Sequence, residues 1–242
     1  MRYGIFSDVH GNLEALKAVL KAYETENIDE YICLGDMVGY GANPRECLAL
    51  VRDTCSHVIA GNHDFAAVGK TDVTYFNSNA RAAVEWTARQ LTEEDKAYIL
   101  SLDIMVVKTD AIFVHASLDK PDKWNYILDP ITVYKNFMLL DRPLCFIGHS
   151  HIPCVFLDEE RVEFVSRREI SHTFKPGDRY IINVGSVGQP RDNDPMSSFC
   201  IYDAVAREIS IKRVPYDIDN AQRKILEAGL PEILALRLVH GE

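Results

Sequence analysis

Short apolar runs that each end in a cluster of polar residues recur along this chain of 242 residues. The first run, residues 3–7, leads into Asp8 and His10, and leucines at helical spacing follow from Leu13. A buried strand that ends in a polar turn and continues into a helix is the starting unit of an α/β fold. Sites in such folds lie outside the carboxyl ends of the strands, so we expect the chemistry at these polar clusters.

Four later strand ends repeat this arrangement. The predicted strands are residues 31–34, 58–60, 112–114 and 144–147, and the polar residues after them are Gly35-Asp36, Gly61-Asn62-His63-Asp64, His115 and Gly148-His149-Ser150-His151. One such cluster would be an ordinary polar loop. Several of them, with side chains suited to metals at successive strand ends, indicate a metal site.

The last cluster leaves two arrangements open. A continued strand would aim His149 and His151 to the same side, because side chains alternate along an extended backbone. Gly148 also allows a turn that would separate the two imidazoles. Separated in this way, they could serve two different metal ions.

The rest of the pattern predicts further helices and hairpins. Asn43-Pro44 is typical of a helix start, and Thr92 with Asp95 resembles a capping box. Trp86, in a predicted helix over residues 79–91, is interpreted as a core residue. The predicted hairpins pair residues 104–107 with 112–114, 155–157 with 162–165, and 199–202 with 209–214, and a further strand covers residues 181–184.

We expect one domain over residues 1–242, with a helical insert around residues 65–102 and a C-terminal helical region from about residue 218.

Composition excludes several classes of protein. The formal net charge of −10 argues against a broad basic surface for duplex nucleic acid, so an anionic substrate would need a local cationic centre. No run approaches the ~20 apolar residues of a membrane span, and the first apolar run is too short for a signal peptide. The six cysteines form no C-x-x-C pair and are read as reduced thiols. We expect a cytoplasmic protein with no membrane partner.

Four residues are candidates for contact with a substrate. Trp124 and Tyr126 follow His115 in a charged loop, where they could stack on a substrate or pack within the protein. Arg191 lies in a glycine-rich turn after the strand at residues 181–184, which is either an anion site or a simple tight turn. Asn12, in the first polar turn, completes this set.

Taken in order, these motifs resemble those of the calcineurin-like metallophosphoesterase superfamily. The resemblance rests on Asp8-x-His10, Gly35-Asp36, Gly61-Asn62-His63-Asp64, His115 and Gly148-His149-x-His151. The small size and the Gly-Ser turn after Val184 are similar to the bacterial and archaeal phosphodiesterase-like branch. The resemblance implies an α/β sandwich of two mixed β-sheets flanked by helices.

The resemblance also implies roles for individual residues. Asp36 would bridge two metal ions, and His63 would act as the general acid toward the leaving group. The remaining ligands divide between the two ions: Asp8, His10 and His151 for one, and Asn62, His115 and His149 for the other. Imidazole and carboxylate ligands suit Mn²⁺, Fe, Co²⁺, Ni²⁺ or Zn²⁺ better than Ca²⁺, and we favour Mn²⁺. Such a centre would hydrolyse a phosphate ester with a hydroxide that bridges the two ions.

The sequence after Asp36 separates this chain from the protein Ser/Thr phosphatases. Those enzymes continue Gly-Asp-x-x-Asp-Arg-Gly, whereas this chain has Gly35-Asp36-Met37-Val38-Gly39-Tyr40-Gly41 and lacks both the arginine and the second aspartate. We therefore expect a small phosphodiester or nucleotide substrate, with Asp64 as the candidate to orient His63 by adjacency. The alternatives are a phosphomonoesterase, a dinucleoside polyphosphate hydrolase, and a non-catalytic retromer-type scaffold. A scaffold would be expected to have lost metal ligands, and none is missing here.

Overall fold

The computed structural model describes residues 1–74, 76–157 and 169–242. Its strands are β1 Arg2–Phe6, β2 Glu30–Cys33, β3 His57–Val58, β4 Met105–Val107, β5 Ala111–Val114, β6 Leu144–Ile147, β7 Cys154–Leu157, β8 Ile170–Thr173, β9 Tyr180–Asn183, β10 Ser197–Asp203 and β11 Glu208–Val214. Its α-helices are α1 Leu13–Tyr23, α2 Pro44–Thr54, α3 Asn62–Ala67, α4 Ser78–Gln90, α5 Glu93–Leu100, α6 Pro130–Leu139, α7 Ile218–Glu227 and α8 Glu232–Leu236. Two short 3₁₀ helices cover Pro121–Lys123 and Arg237–Val239.

These strands form two mixed sheets, as the resemblance to the superfamily implies. The first sheet has the order β3-β2-β1-β10-β11-β8, and the second has the order β4-β5-β6-β9-β7. In the first sheet β1, β2 and β3 run parallel, and in the second β5, β6 and β9 run parallel. Parallel strands place their carboxyl ends at the same edge, so the polar clusters that follow them are gathered there.

The sheets face each other across a core built from apolar residues of both. Ile5 and Ile32 of the first sheet pack in one cluster with Phe113, Phe146 and Ile182 of the second. Helices α1 and α2 cover the outer face of the first sheet, and α6 covers that of the second. Because both faces of the central strands are covered, β1 and β6 are nearly continuous apolar runs rather than alternating ones.

Several predicted local signals are confirmed. Thr92 and Asp95 cap α5 reciprocally, with the Asp95 amide donating to Thr92 Oγ1 at 3.2 Å and the Thr92 amide donating to Asp95 Oδ2 at 2.9 Å. Strands β4 and β5 pair as a hairpin, and so do β10 and β11. Trp86 packs, partly buried, against the cluster that contains Tyr40. Among the described residues, no helix is long and apolar enough to cross a membrane.

Other features differ from the expectations. The predicted partner of β7, residues 162–165, lies outside the described residues, and β7 pairs antiparallel with β9. The predicted helix start at Asn43-Pro44 is confirmed, but the Asn43 side chain makes no capping bond: its Nδ2 donates to Glu46 Oε1 at 2.8 Å, and its Oδ1 accepts from Lys224 Nζ at 3.1 Å. The C-terminal helical region breaks after α7, where Gly229 takes the left-handed conformation and Pro231 follows. Strand β8 and helices α3 and α6 were not predicted.

Candidate metal centre

The strand ends bring all seven predicted ligands into one buried cluster. They are Asp8, His10, Asp36, Asn62, His115, His149 and His151, and none of them is more than 7% exposed. Backbone hydrogen bonds connect the loops that carry them: the Asp8 amide donates to Gly35 O at 3.0 Å, and the Gly148 amide donates to His115 O at 2.9 Å. Each of these bonds joins loops of one sheet, and the His149 amide, which donates to Asp8 Oδ2, joins the two sheets.

An unusual backbone conformation aims these side chains. Five of the ligands have positive φ angles, from 50° to 66°: Asp8, His10, Asp36, His149 and His151. Residues other than glycine adopt this left-handed conformation rarely and at a cost of roughly 1–2 kcal/mol each. The loops keep it because their amides are bonded across the cluster, as when the His149 amide donates to Asp8 Oδ2 at 3.0 Å. Strain of this kind is typical of functional sites.

One group of ligand atoms consists of Asp8, His10 and His151. The Nε2 atoms of His10 and His151 lie 3.1 Å apart, and His151 Nε2 lies 3.3 Å from Asp8 Oδ1. Ligand atoms that bind one ion at about 2.0–2.2 Å lie roughly 3.0–3.5 Å from each other. The spacing therefore fits a shared metal ion.

A second group consists of Asn62, His115 and His149. His115 Nε2 lies 3.3 Å from Asn62 Oδ1 and 3.4 Å from Asp36 Oδ2. Nε2 of His149 is buried and has no hydrogen-bond partner among the described residues. The same holds for Oδ1 of Asp8 in the first group, and a bound cation would satisfy both atoms.

Asp36 lies between the two groups. Its Oδ2 atom is 3.7 Å from His10 Nε2 in the first group and 3.4 Å from His115 Nε2 in the second. Its Oδ1 atom accepts a hydrogen bond from the His63 amide at 2.8 Å. Gly61 is required beside it, because a Cβ atom on Gly61 would lie 2.1 Å from Asp36 Oδ1. His151 belongs to the first group and His149 to the second. This is the turned arrangement of the two histidines, one of the two that the sequence left open.

Backbone carbonyls fix the orientation of three of the imidazoles. Nδ1 of His10 faces Val38 O at 3.2 Å, Nδ1 of His115 faces Leu34 O at 2.8 Å, and Nδ1 of His151 faces Gln189 O at 2.5 Å. A proton on Nδ1 leaves the lone pair of Nε2 free to point into the centre. This is how histidine ligands are commonly held.

Burial and charge set the protonation of the cluster. Burial lowers the pKa of His149 to about 3 and that of His63 to about 4, so both rings are neutral at pH 7. Burial also opposes charge on His115, but the carboxylates of Asp36 and Asp8 raise its pKa to about 9. Despite burial, the histidines hold the pKa values of Asp8 and Asp36 well below their usual range. Two ionised carboxylates among mainly neutral imidazoles are a donor set that suits a divalent transition metal.

A family model described as the calcineurin-like phosphoesterase superfamily domain matches residues 1–207. The chain belongs to this superfamily. Membership and the His and Asp groups together support divalent metal binding and metal-dependent phosphoester hydrolysis as the class of activity.

Three similar proteins show how far the likeness extends. The uncharacterized protein MJ0912 of Methanocaldococcus jannaschii is 40% identical over 241 residues, which cover 98% of this chain and 97% of that protein. The crystal structure of a metallophosphoesterase from Sphaerobacter thermophilus is 41% identical, with a TM-score of 0.90 over 100% of this chain and 99% of that one. Hypothetical protein PH1004 of Pyrococcus horikoshii shares the fold at 19% identity, with a TM-score of 0.81 over 100% of this chain and 98% of that one.

In this phosphoesterase, His63 lies beside the ligands inside a cage of rings. Its ring centroid is 4.9 Å from that of His10, 4.5 Å from that of Tyr40 and 4.9 Å from that of Phe76. Gly39 allows the close approach, because a Cβ atom there would lie 2.7 Å from His63 Nδ1. Tyr40 and Phe76 were not identified from the sequence, although the position of Tyr40 between two glycines was a signal of a closely approached loop.

Asp64 does not orient His63, contrary to the expectation from adjacency. Its Oδ1 atom accepts the Val38 amide at 3.2 Å, and its Oδ2 atom accepts the Gly61 amide at 3.0 Å. Asp64 therefore joins the loop after β2 to the start of α3, and the surrounding rings hold His63.

The candidate substrate residues separate into two kinds. Asn12 caps α1, with Oδ1 accepting from the Ala15 amide at 3.1 Å and Nδ2 donating to Gly188 O at 2.9 Å. Both ends of its amide are thus bonded to the backbone, and we leave it out of the substrate proposal. Trp124 and Tyr126 do lie at the centre: the Trp124 ring meets that of His115 edge-on at 5.8 Å, and Tyr126 stacks on His149 at 4.1 Å.

A cleft of about 760 Å³ opens from the second group of ligands. Asn62, His63 and His149 lie at its inner end, and its walls include aromatic residues, namely Tyr40, Phe65, Phe76, Trp124 and Tyr126. Lys70 and Lys123 also line it. The cleft has room for a substrate much larger than a phosphate group.

Proposed function

We propose that this protein is a phosphoesterase with two divalent metal ions, preferably Mn²⁺, that hydrolyses small phosphodiesters or nucleotides. The observation that carries the proposal is the geometry of the two ligand groups, which share Asp36 and open on a cleft beside His63. The two groups of residues would hold two divalent ions, whose chemistry would be to activate a water molecule for attack and to stabilise negative charge on the phosphate ester.

The charge of the ligands supports an anionic substrate. Asp8 and Asp36 are the only carboxylates in the proposed ligand set, and the other ligands, one amide and four imidazoles, add no negative charge. Two divalent ions carry more positive charge than two carboxylates cancel, so a positive surplus remains for a phosphate. Asn62, in place of a further carboxylate, preserves this surplus.

His63 is the proposed general acid. A nitrogen of its ring lies within 4.8 Å of ligand atoms of both His10 and Asp36. The ring also lies at the inner end of the cleft. Asp36 raises the pKa of the ring against the larger effect of burial, and an anionic phosphate nearby would favour the protonated form further. The protonated ring would give its proton to the leaving group oxygen.

The cleft favours a substrate with a second arm beyond the phosphate. A phosphomonoester of a small alcohol would leave most of the 760 Å³ cleft unused. A diester or nucleotide would place its second arm against Trp124 and Tyr126, with Arg191 as the residue that contacts the phosphate. The retromer-type scaffold is less well supported, because it gives no reason to retain ligands with strained backbone conformations around the shared carboxylate of Asp36.

The test is a comparison of kcat/KM for bis(4-nitrophenyl) phosphate and 4-nitrophenyl phosphate, with Mn²⁺ supplied and pH matched. We expect the diester to be preferred. A clear monoester preference that disappears in Arg191→Ala would contradict the diesterase proposal. Absence of hydrolysis of any ester by the metal-loaded protein would favour the scaffold.

A further inference from the structure

Arg191 is a cation at the edge of the metal centre. Its guanidinium carbon lies 5.6 Å from the centre of the Tyr40 ring, and Tyr40 in turn packs against His10 at 4.7 Å. Its backbone amide also donates to His151 O at 3.3 Å. Arg191 therefore lies beside the first ligand group, and the Tyr40 ring that it contacts also packs against His63 at 4.5 Å.

The charge of Arg191 is not cancelled by a carboxylate. Within residues 1–74, 76–157 and 169–242, no ion pair to Arg191 is formed, and its buried Nε atom has no hydrogen-bond partner. The neighbouring carboxylate of Asp192 turns away and pairs with Arg213, whose side chain is 1% exposed. A partly buried arginine is normally paired, so the free charge requires an explanation.

The side chain of Arg191 has neutral partners: the amide of Gln189, and the hydroxyls of Tyr40 and Tyr126. Nη2 of Arg191 donates to Gln189 Oε1 at 2.8 Å, and Gln189 is 2% exposed. The backbone of Gln189 is also fixed, because its amide donates to Ser186 Oγ at 2.9 Å and its carbonyl faces His151 Nδ1. Gln189 thus holds Arg191 from a rigid position that is tied to a metal ligand.

An amide oxygen at this position orients a guanidinium without neutralising it. A carboxylate would hold Arg191 as well or better, since charge-assisted hydrogen bonds are about twice as strong as neutral ones. A carboxylate would also neutralise the charge of the guanidinium and place a negative group beside the metal centre. An amide leaves that charge for a ligand that is itself anionic.

We propose that Gln189 is a positioning residue that presents Arg191, with its charge uncompensated, to a phosphoryl oxygen of the substrate. The proposal rests on the proposed function, because it assigns Arg191 to the phosphate at the same metal centre. It makes Gln189 a determinant of anion affinity, in addition to its backbone contact with His151.

The test uses the protein loaded with Mn²⁺ and inorganic phosphate as the probe, with affinity measured by calorimetry. Arg191→Ala should weaken phosphate binding about 10–100-fold, the range expected for loss of a charge-assisted hydrogen bond. Gln189→Glu keeps the shape and the acceptor but adds a negative charge, and it should weaken phosphate binding at least as much as Gln189→Ala. In the Arg191→Ala background, either change at Gln189 should have a much smaller effect than it has in the wild type.

Two controls separate positioning from a merely structural role. Gln90→Glu makes the same chemical change at the exposed end of α4 and should leave phosphate affinity unchanged. The metal content of each Gln189 variant should match that of the wild type, because the backbone carbonyl that faces His151 remains. KM for the preferred ester should rise with little change in kcat.

Three results would overturn the inference. They are wild-type phosphate affinity in Gln189→Glu, effects of Gln189 and Arg191 that simply add, or loss of metal from Gln189→Glu in proportion to its loss of phosphate affinity. Failure of the proposed function would look different, because the wild type itself would neither bind phosphate nor hydrolyse an ester.

Discussion

Individual ligand residues could be predicted from the sequence, but their directions could not. The residue types at Asp8-x-His10 and Gly148-His149-x-His151 indicated metal ligands at strand ends. An extended backbone would aim each pair to one side, whereas left-handed conformations at His149 and His151 separate the two rings. These conformations depend on hydrogen bonds between distant loops, such as the Gly188 amide to Asp8 O at 2.9 Å, and no local pattern encodes such contacts.

Replacement of His63 by alanine should leave the metal bound and slow hydrolysis. General acid assistance is typically worth about 10²–10⁴-fold, and the loss should be largest for poor leaving groups, which need the proton most. The measurement is kcat for two diesters, one with a nitrophenolate and one with an alkoxide leaving group, together with elemental analysis. Equal slowing of both esters would assign positioning, rather than proton donation, to His63.

At the scale of the elements, most strands were predicted, but strand β8 and two helices were missed. Helix α3 begins directly at the ligand Asn62, so its first turn reads as a polar cluster rather than as a helix. Helix α6 exposes Ile131, Tyr134 and Met138 to solvent, which obscures the usual one-sided apolar stripe. The start of α6 does carry a sequence signal, since Asp129 directly precedes Pro130. In the structure Asp129 caps the helix by accepting hydrogen bonds from the Ile131 and Thr132 amides.

The connection between the loop after β2 and helix α3 should depend on Asp64. Asp64→Ala removes two buried hydrogen bonds and leaves the Val38 and Gly61 amides unpaired, at a cost on the order of 2–5 kcal/mol in the free energy of unfolding. Chemical denaturation of the variant measures this loss. Asp72→Ala is the control, because Asp72 is exposed and bonds only within its own turn at Thr74. A loss no larger than that of the control would contradict the role given to Asp64.

Across the whole molecule, the two parallel sets of strands create the site by aligning their carboxyl ends. The sequence predicted this arrangement because five polar clusters follow apolar runs in order. It did not predict the ring cage around His63, since Tyr40 and Phe76 come from separate loops. Nor did it predict the role of Gln189, whose contacts join the turn after β9 to His151.

The metal-free protein should lose stability as the pH rises from 7 to about 8.5. Asp36 and Asp8 raise the pKa of His115 to about 9 despite burial, whereas in the unfolded chain it is about 6.5. Because the pKa of His115 is higher in the folded chain, its contribution to the free energy of unfolding is complete below pH 6.5 and is lost as the pH passes 9. Between pH 7 and 8.5 the free energy of unfolding should therefore fall by roughly 1–2 kcal/mol. Urea denaturation after chelation measures it.

The control for this pH dependence is His115→Gln, which removes the titrating group. Its metal-free stability should change much less over the same pH range. A wild-type curve that is flat, or that rises with pH, would contradict the charge pairing assigned to His115.

The central claim is that Asp36 joins two metal ions in a centre that hydrolyses phosphate esters. The most direct test is elemental analysis and hydrolysis of bis(4-nitrophenyl) phosphate, measured side by side on the wild type and Asp36→Asn after loading with Mn²⁺. We predict two ions per wild-type chain, and in the variant a loss of bound metal together with a loss of hydrolysis. Loss of activity with both ions still bound, or full activity in the variant, would contradict the claim.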